Sequence, residues 1–124
     1  MKIYQLAACV TLSIISSACF AYSCSNTSSD VDDAQRYLKN ASQAYDLDSA
    51  KSYMRRARNA LDDVVNDVKD CGCDSAASEF DDASTYSRRA RDASAADDYN
   101  YQFQRTVKAY NAGISALNTC ARTR

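Results

Sequence analysis

The cysteines of this chain repeat, and no other feature constrains its fold as much. Cys24 and Cys71 are 47 residues apart, and so are Cys73 and Cys120. A shift of 49 residues, which places Cys24 on Cys73, also superposes Asp32, Asp33, Ala34, Tyr37, Ala41 and Ala44 on Asp81, Asp82, Ala83, Tyr86, Ala90 and Ala93 without a gap. Further along, Asp48, Arg56 and Ala60 fall on Asp97, Arg105 and Ala109. The chain is therefore two copies of one supersecondary unit, and whatever one copy folds into, the other repeats.

Each unit reads as two helices. Proline is absent and only Gly72 and Gly113 are glycines, so from Asp30 to Cys120 little opposes helix formation. Val31, Ala34, Leu38, Ala41 and Tyr45 recur at spacings of three and four and so form one helical stripe. A second stripe runs Ala50, Tyr53 or Met54, Ala57, Leu61, Val64 or Val65, and Val68. The second copy offers Phe80, Ala83, Tyr86 and Ala90, then Tyr99, Phe103, Tyr110, Ile114 and Leu117. Asp46 or Asp48, and Asp97 at the equivalent place, suit the caps of the returning helices, because a short carboxylate accepts from free N–H groups there. Short connections make successive helices antiparallel. The fold class is all-α: two tandem αα-hairpins at 30–71 and 73–120, stapled by disulfides into an up-down four-helix bundle that forms one domain over 24–120.

Cys71-Gly72-Cys73 is the joint between the hairpins, with Gly72 supplying the permissive backbone at which a helix stops and the chain restarts. The repeat favours the pairings Cys24–Cys71 and Cys73–Cys120. Each closes a loop of about 47 residues and contributes roughly 4 kcal/mol on the chain-entropy account. Zinc sites favour spacings such as C-x₂-C and redox pairs favour C-x-x-C, so the C-x-C spacing points to staples rather than to a metal or redox centre.

The N-terminal stretch sets the expected compartment. Residues 1–21 combine Lys2, an apolar run from Ile3 to Ile15 and a small, polar end, which is the anatomy of a signal peptide cleaved after Ala21. Its apolar run is short of the roughly 20 residues that a bilayer needs. "SSAC" at Ser16–Cys19 also resembles a lipobox, so lipid anchoring at Cys19, as a structural envelope component, is the alternative. Residues 22–29 form an N-terminal segment and 121–124 a C-terminal tail. Removal of residues 1–21 leaves four of the six cysteines. An even count in an exported chain, periplasmic or secreted, reads as disulfides. Loss of Lys2 leaves 14 basic against 16 acidic residues, a net charge of −2 that argues against a polybasic nucleic-acid binder.

Composition also narrows function. The chain has no histidine, the commonest general base and metal ligand, and no catalytic residue, cofactor or resident metal is expected. Adjacent carboxylates such as Asp62-Asp63 do not face each other on a helix and read as solvated or capping groups. Tyr37, Tyr53 and Tyr86 each lie three residues after one alanine and four before another, the packing pattern of rings between closely approaching helices. This A-x-x-Y-x-x-x-A pattern resembles tetratricopeptide helices, but the period of 49 is not that family's, and nothing is carried over from it. Folding the hairpins gathers acidic residues toward the cysteine pole and leaves a basic belt farther along, in which "RRAR" occurs twice, at Arg55, Arg56, Arg58 and at Arg88, Arg89, Arg91. Those arginines are the candidate partner-binding residues, and the expected partner is a protein with an acidic surface. The reading is a small exported non-enzymatic interaction module of inhibitor, immunity or envelope-stress type. A metal-binding protein using the cysteine thiolates or the acidic pole is the other alternative.

Nonreduced peptide mapping tests the repeat directly. It should link Cys24 to Cys71 and Cys73 to Cys120, and a dominant Cys24–Cys120 peptide would refute the two-hairpin arrangement.

Overall fold

The computed structural model describes Cys24 and residues 27–123, with side chains described as far as Cys120. Four helices follow one another: α1 (Thr27–Ser42), α2 (Leu47–Asp70), α3 (Asp74–Asp92) and α4 (Ala96–Thr123). The expected signal peptide, the lipid anchor at Cys19 and the start of the 22–29 segment lie outside the described residues. Both expected disulfides are present, Cys24–Cys71 with Cα atoms 5.6 Å apart and Cys73–Cys120 with Cα atoms 5.9 Å apart. Successive helices pack on one another, α2 also touches α4, and the Tyr110 hydroxyl reaches the Val31 carbonyl at 3.5 Å across from α4 to α1. Among the described residues there is no strand, and no helix is long and apolar enough to cross a membrane.

The joint has the geometry its glycine implies. Gly72 has φ 82°, a left-handed conformation that costs an L-residue about 1–2 kcal/mol. Its N–H donates to Lys69 O at 3.0 Å and the Cys73 N–H to Val68 O at 2.9 Å, the paired bonds of a Schellman ending. Two carbonyls at the end of α2 are thereby satisfied, and α3 starts at once in the opposite direction.

The helix stripes form the core. Val31, Ala34, Leu38 and Ala41 of α1, the α2 stripe through Val68, Phe80, Ala83 and Ala90 of α3, and Tyr99, Phe103, Tyr110, Ile114 and Leu117 of α4 are all buried. Tyr37, Tyr53 and Tyr86 sit at its edge, partly buried. Tyr45 breaks the pattern, being fully exposed rather than the last residue of the α1 stripe. The reason is local: α1 ends at Ser42, and the next N–H groups bond three residues back, Gln43 to Asn40 O and Ala44 to Ala41 O, which swings the chain off the helical path before Tyr45. Asp46 then adopts an extended conformation and caps α2 by accepting from the Ser49 N–H at 2.8 Å, a bond that holds its carboxyl below the usual carboxylate range. The second copy has no such cap. Asp97 lies inside the first turn of α4 rather than ahead of it, and the position equivalent to Asp46 is Ala95, whose side chain accepts nothing. There Asp97 and Asp98 favour the helix start through its dipole alone.

The two copies also solve one packing problem differently. A Cβ placed on Gly113 would lie 2.7 Å from the Phe80 ring, so the α4 backbone rests directly on that side chain. The equivalent positions in the first copy are Val31 and Val64, both fully buried. A small-plus-large pair replaces two medium residues. Gly113→Val should therefore destabilise the fold by about 2–3 kcal/mol through overpacking. Adding Phe80→Val should recover part of that loss by restoring the first copy's pair, and urea-denaturation midpoints that combine additively to within about 0.5 kcal/mol would disprove the coupling.

Candidate functional site

The α2–α3 pair fixes which basic residues meet. The chain reverses at Gly72, and the Ser84 hydroxyl donates to Asp62 Oδ1, which sets the register: residues near 62 on α2 lie opposite residues near 84 on α3. Moving away from the joint, Arg58 faces the level of Arg88, and Arg55 that of Arg91. Lys51, Arg55, Arg58 and Asp62 follow one another at spacings of four, three and four, which aligns them along the edge of α2 that borders α3. Arg58 pairs with Asp62 at 3.6 Å and Arg91 with Asp92 at 2.9 Å. Asp92 is held below the usual carboxylate range first by its hydrogen bond from Arg91, and then by the charges of Arg91, Arg88 and, from across the groove, Lys51. Of these five cations only Arg58 and Arg91 are in an ion pair among the described residues, and with Asp48, Asp62 and Asp92 counted the face keeps a surplus of positive charge. Arg55 and Arg88 are exposed and make no ion pair among the described residues.

The remaining two members of the expected belt point elsewhere. Arg56 is eleven residues, close to three full turns, before Asp67, and Asp67 faces Asp30 of α1, so Arg56 belongs to the α1 side of α2. The Arg89 guanidinium lies 5.7 Å from the centre of the Tyr86 ring, toward α4. Tyr86 is itself covered by Arg105, 4.4 Å from its ring centre, and Arg105 donates to the Tyr86 hydroxyl at 2.7 Å and to the Tyr101 hydroxyl at 2.8 Å. This Tyr86–Arg105–Tyr101 stack was not singled out from sequence. Its signal was the four-residue step from Tyr101 to Arg105, which puts both on one helix face.

At the loop pole, a cleft of about 370 Å³ opens between the tip of the first hairpin and the start of α4. Tyr45, Leu47, Tyr99 and Phe103 line it, with the rings of Tyr99 and Phe103 stacked 5.9 Å apart. The Tyr99 hydroxyl is buried without a partner, and burial pushes its pKa up.

The cysteine pole has its own electrostatics. The sulfurs of Cys24, Cys71 and Cys73 all lie within 4.8 Å of one another, the single group among the described residues with the spacing of a metal-ligand set. The fourth sulfur is bonded to the Cys73 sulfur. Beside them Asp30 of α1 meets Asp67 of α2. A hydrogen bond with Asp67, partial burial and the charges of Asp67 and Asp33 push the Asp30 carboxyl up to about 6. One oxygen of Asp67 is buried with no N–H or hydroxyl donor.

Comparison with protein-family models, with curated proteins and with solved structures finds no match to this chain. What is established is the class: a small all-helical protein of two disulfide-stapled hairpins.

The carboxyl pair makes stability depend on pH. Asp30 has a folded pKa of about 6 against 3.8 for the free group, so the folded chain binds this proton more tightly than the unfolded one. The resulting stabilisation is complete below about pH 4 and is lost as pH rises through about 6. Asp30→Asn keeps a donor for Asp67 without the charge. It should flatten this part of the stability profile and, after allowance for solvent screening, gain on the order of 1 kcal/mol at pH 7. Denaturation at pH 4.5 and 7 would reveal it, and parallel wild-type and variant profiles would disprove the raised Asp30 pKa.

Proposed function

We propose that the protein is an exported, non-enzymatic interaction module that docks a protein partner bearing an acidic surface, in an inhibitory, immunity-type or envelope-stress role. One observation carries this reading: the two RRAR segments lie at the same level of adjacent antiparallel helices, where Lys51, Arg55, Arg58, Arg88 and Arg91 share one face with a surplus of positive charge. Stability does not account for that arrangement. Arg89 and Arg91 lie in the last turn of α3, where cations favour the helix dipole, but Arg55 and Arg58 lie in the middle of α2, where the dipole gives a cation no advantage. Exposed ion pairs of this kind contribute little to folding. Concentrated uncompensated charge instead accelerates encounter with an oppositely charged surface and penalises wrong partners.

The export reading is supported by the two disulfides, which form and persist in oxidising compartments. The non-enzymatic reading rests on a chain without histidine. The stapled helices provide a platform whose backbone needs little ordering on binding.

Charge reversal in two patterns tests the face. Arg55→Glu with Arg88→Glu strikes it from both helices, whereas Arg56→Glu with Arg89→Glu changes the same net charge on the flanking faces. Helix content by circular dichroism should be unchanged in both. Cross-linking in the native extract should show salt-sensitive adducts of the wild type that the first double variant loses by about tenfold or more, while the second retains them. Equal adduct yields from all three proteins would sink the assignment.

A further inference from the structure

We propose that the cysteine pole is a redox-gated tetrathiolate site: with both disulfides reduced, Cys24, Cys71, Cys73 and Cys120 together bind one Zn²⁺. Tandem staples do not require their sulfurs to meet, yet here the Cys73 sulfur lies within 4.8 Å of both sulfurs of the other disulfide. A tetrahedral zinc site has Zn–S distances of about 2.3 Å, which places neighbouring sulfurs about 3.8 Å apart. The Cys73 sulfur therefore needs to approach those of Cys24 and Cys71 by about 1 Å at most, the Cys120 sulfur bonded to it must swing in with it, and each bonded pair, about 2 Å apart, needs to open by slightly under 2 Å. The C-x-C spacing, unfavourable for zinc when two neighbours must act alone, ceases to matter once Cys24 and Cys120 arrive from other helices.

The backbone favours the site. Cys71 and Cys73 are set on either side of Gly72 by the Schellman bonds, which do not depend on the sulfur chemistry. Cys24 precedes the first turn of α1, its carbonyl accepting from the Thr27 N–H, and Cys73 is the N-cap of α3. A helix N-terminus favours a thiolate, and Cys73 occupies one. Cys24 and Cys73 are both buried, so a bound ion would be largely shielded from water. Thiolate ligands select Zn²⁺ over the hard divalent cations that carboxylates prefer.

The chemistry balances. Each disulfide takes two electrons and two protons from a dithiol, which leaves as its own disulfide, giving four thiols in all. Zn²⁺ then displaces four protons, and the complex carries a charge of −2. Oxidation by a disulfide oxidant re-forms the two staples and expels the ion. The metal is a substitute staple at the same pole: it joins the same helix ends when the disulfides are open.

The full chain is tested after reduction with a phosphine under anaerobic conditions, with Co²⁺ as the probe and Zn²⁺ as competitor. The expected result is a sulfur-to-cobalt charge-transfer band with tetrahedral visible bands, saturating at a 1:1 ratio, abolished by an equimolar amount of Zn²⁺, with the helical circular-dichroism signal kept. Cys24→Ser with Cys73→Ser should abolish the band. Asp30→Asn with Asp67→Asn should retain it, which separates thiolate from carboxylate binding. The proposal is overturned if the reduced wild type gives no thiolate band, binds more than one ion per chain, binds only with loss of helix, or if the serine variant binds equally well.

Discussion

The bundle depends on one backbone conformation, the left-handed turn at Gly72. Because φ is positive there, α2 can end with its carbonyls satisfied and α3 can start within three residues in the opposite direction. That reversal places Cys71 and Cys73 side by side, brings the outer ends of α1 and α4 to the same pole, and so makes both staples and the sulfur cluster geometrically possible. It also sets the α2–α3 register on which the cationic face relies. A wider linker would separate Cys71 from Cys73, and the approach of one disulfide to the other would not follow.

The two copies show how far a repeat constrains a fold. Positions that define helix faces are kept, and the buried alanines Ala34, Ala41, Ala83 and Ala90 let helices approach in both halves. Positions that fill the space between them have diverged in compensating pairs: Val31 and Val64 in one half, Phe80 and Gly113 in the other. Close packing demands a total volume at each layer rather than particular residues, so such a swap preserves the fold. The helix starts have diverged without compensation, since Asp46 caps α2 and Ala95 cannot cap α4.

Charge is divided between the cysteine pole and the belt. Carboxylates crowd the cysteine pole strongly enough to raise the Asp30 carboxyl to about 6, while cations collect midway along α2 and at the end of α3. Charge separation of this kind gives the surface a polarity along the helices.

How much of this was legible without coordinates follows from the range of the interactions involved. Helix spacing is local, so the buried stripes through Leu38, Leu61, Phe80 and Leu117 could be read directly. The cysteine pairing could be read because a repeat carries long-range information in one dimension. Tyr45 could not, because two short turn hydrogen bonds after Ser42 override the helical period. Nor could the split of the arginine belt: Arg55 and Arg56 are neighbours in sequence but about 100° apart around a helix, and only the packing of α1 and α3 on either side of α2 decides which of them joins Arg88. The sequence by itself determined two stapled helical hairpins, since periodicity, a glycine joint and a cysteine repeat each act over a few residues or through a covalent bond. Only the tertiary structure decided that the Asp30 carboxyl meets Asp67, that the Phe80 ring meets Gly113 and that the Cys73 sulfur comes within 4.8 Å of those of Cys24 and Cys71, because each depends on the register between helices, a property of their packed surfaces.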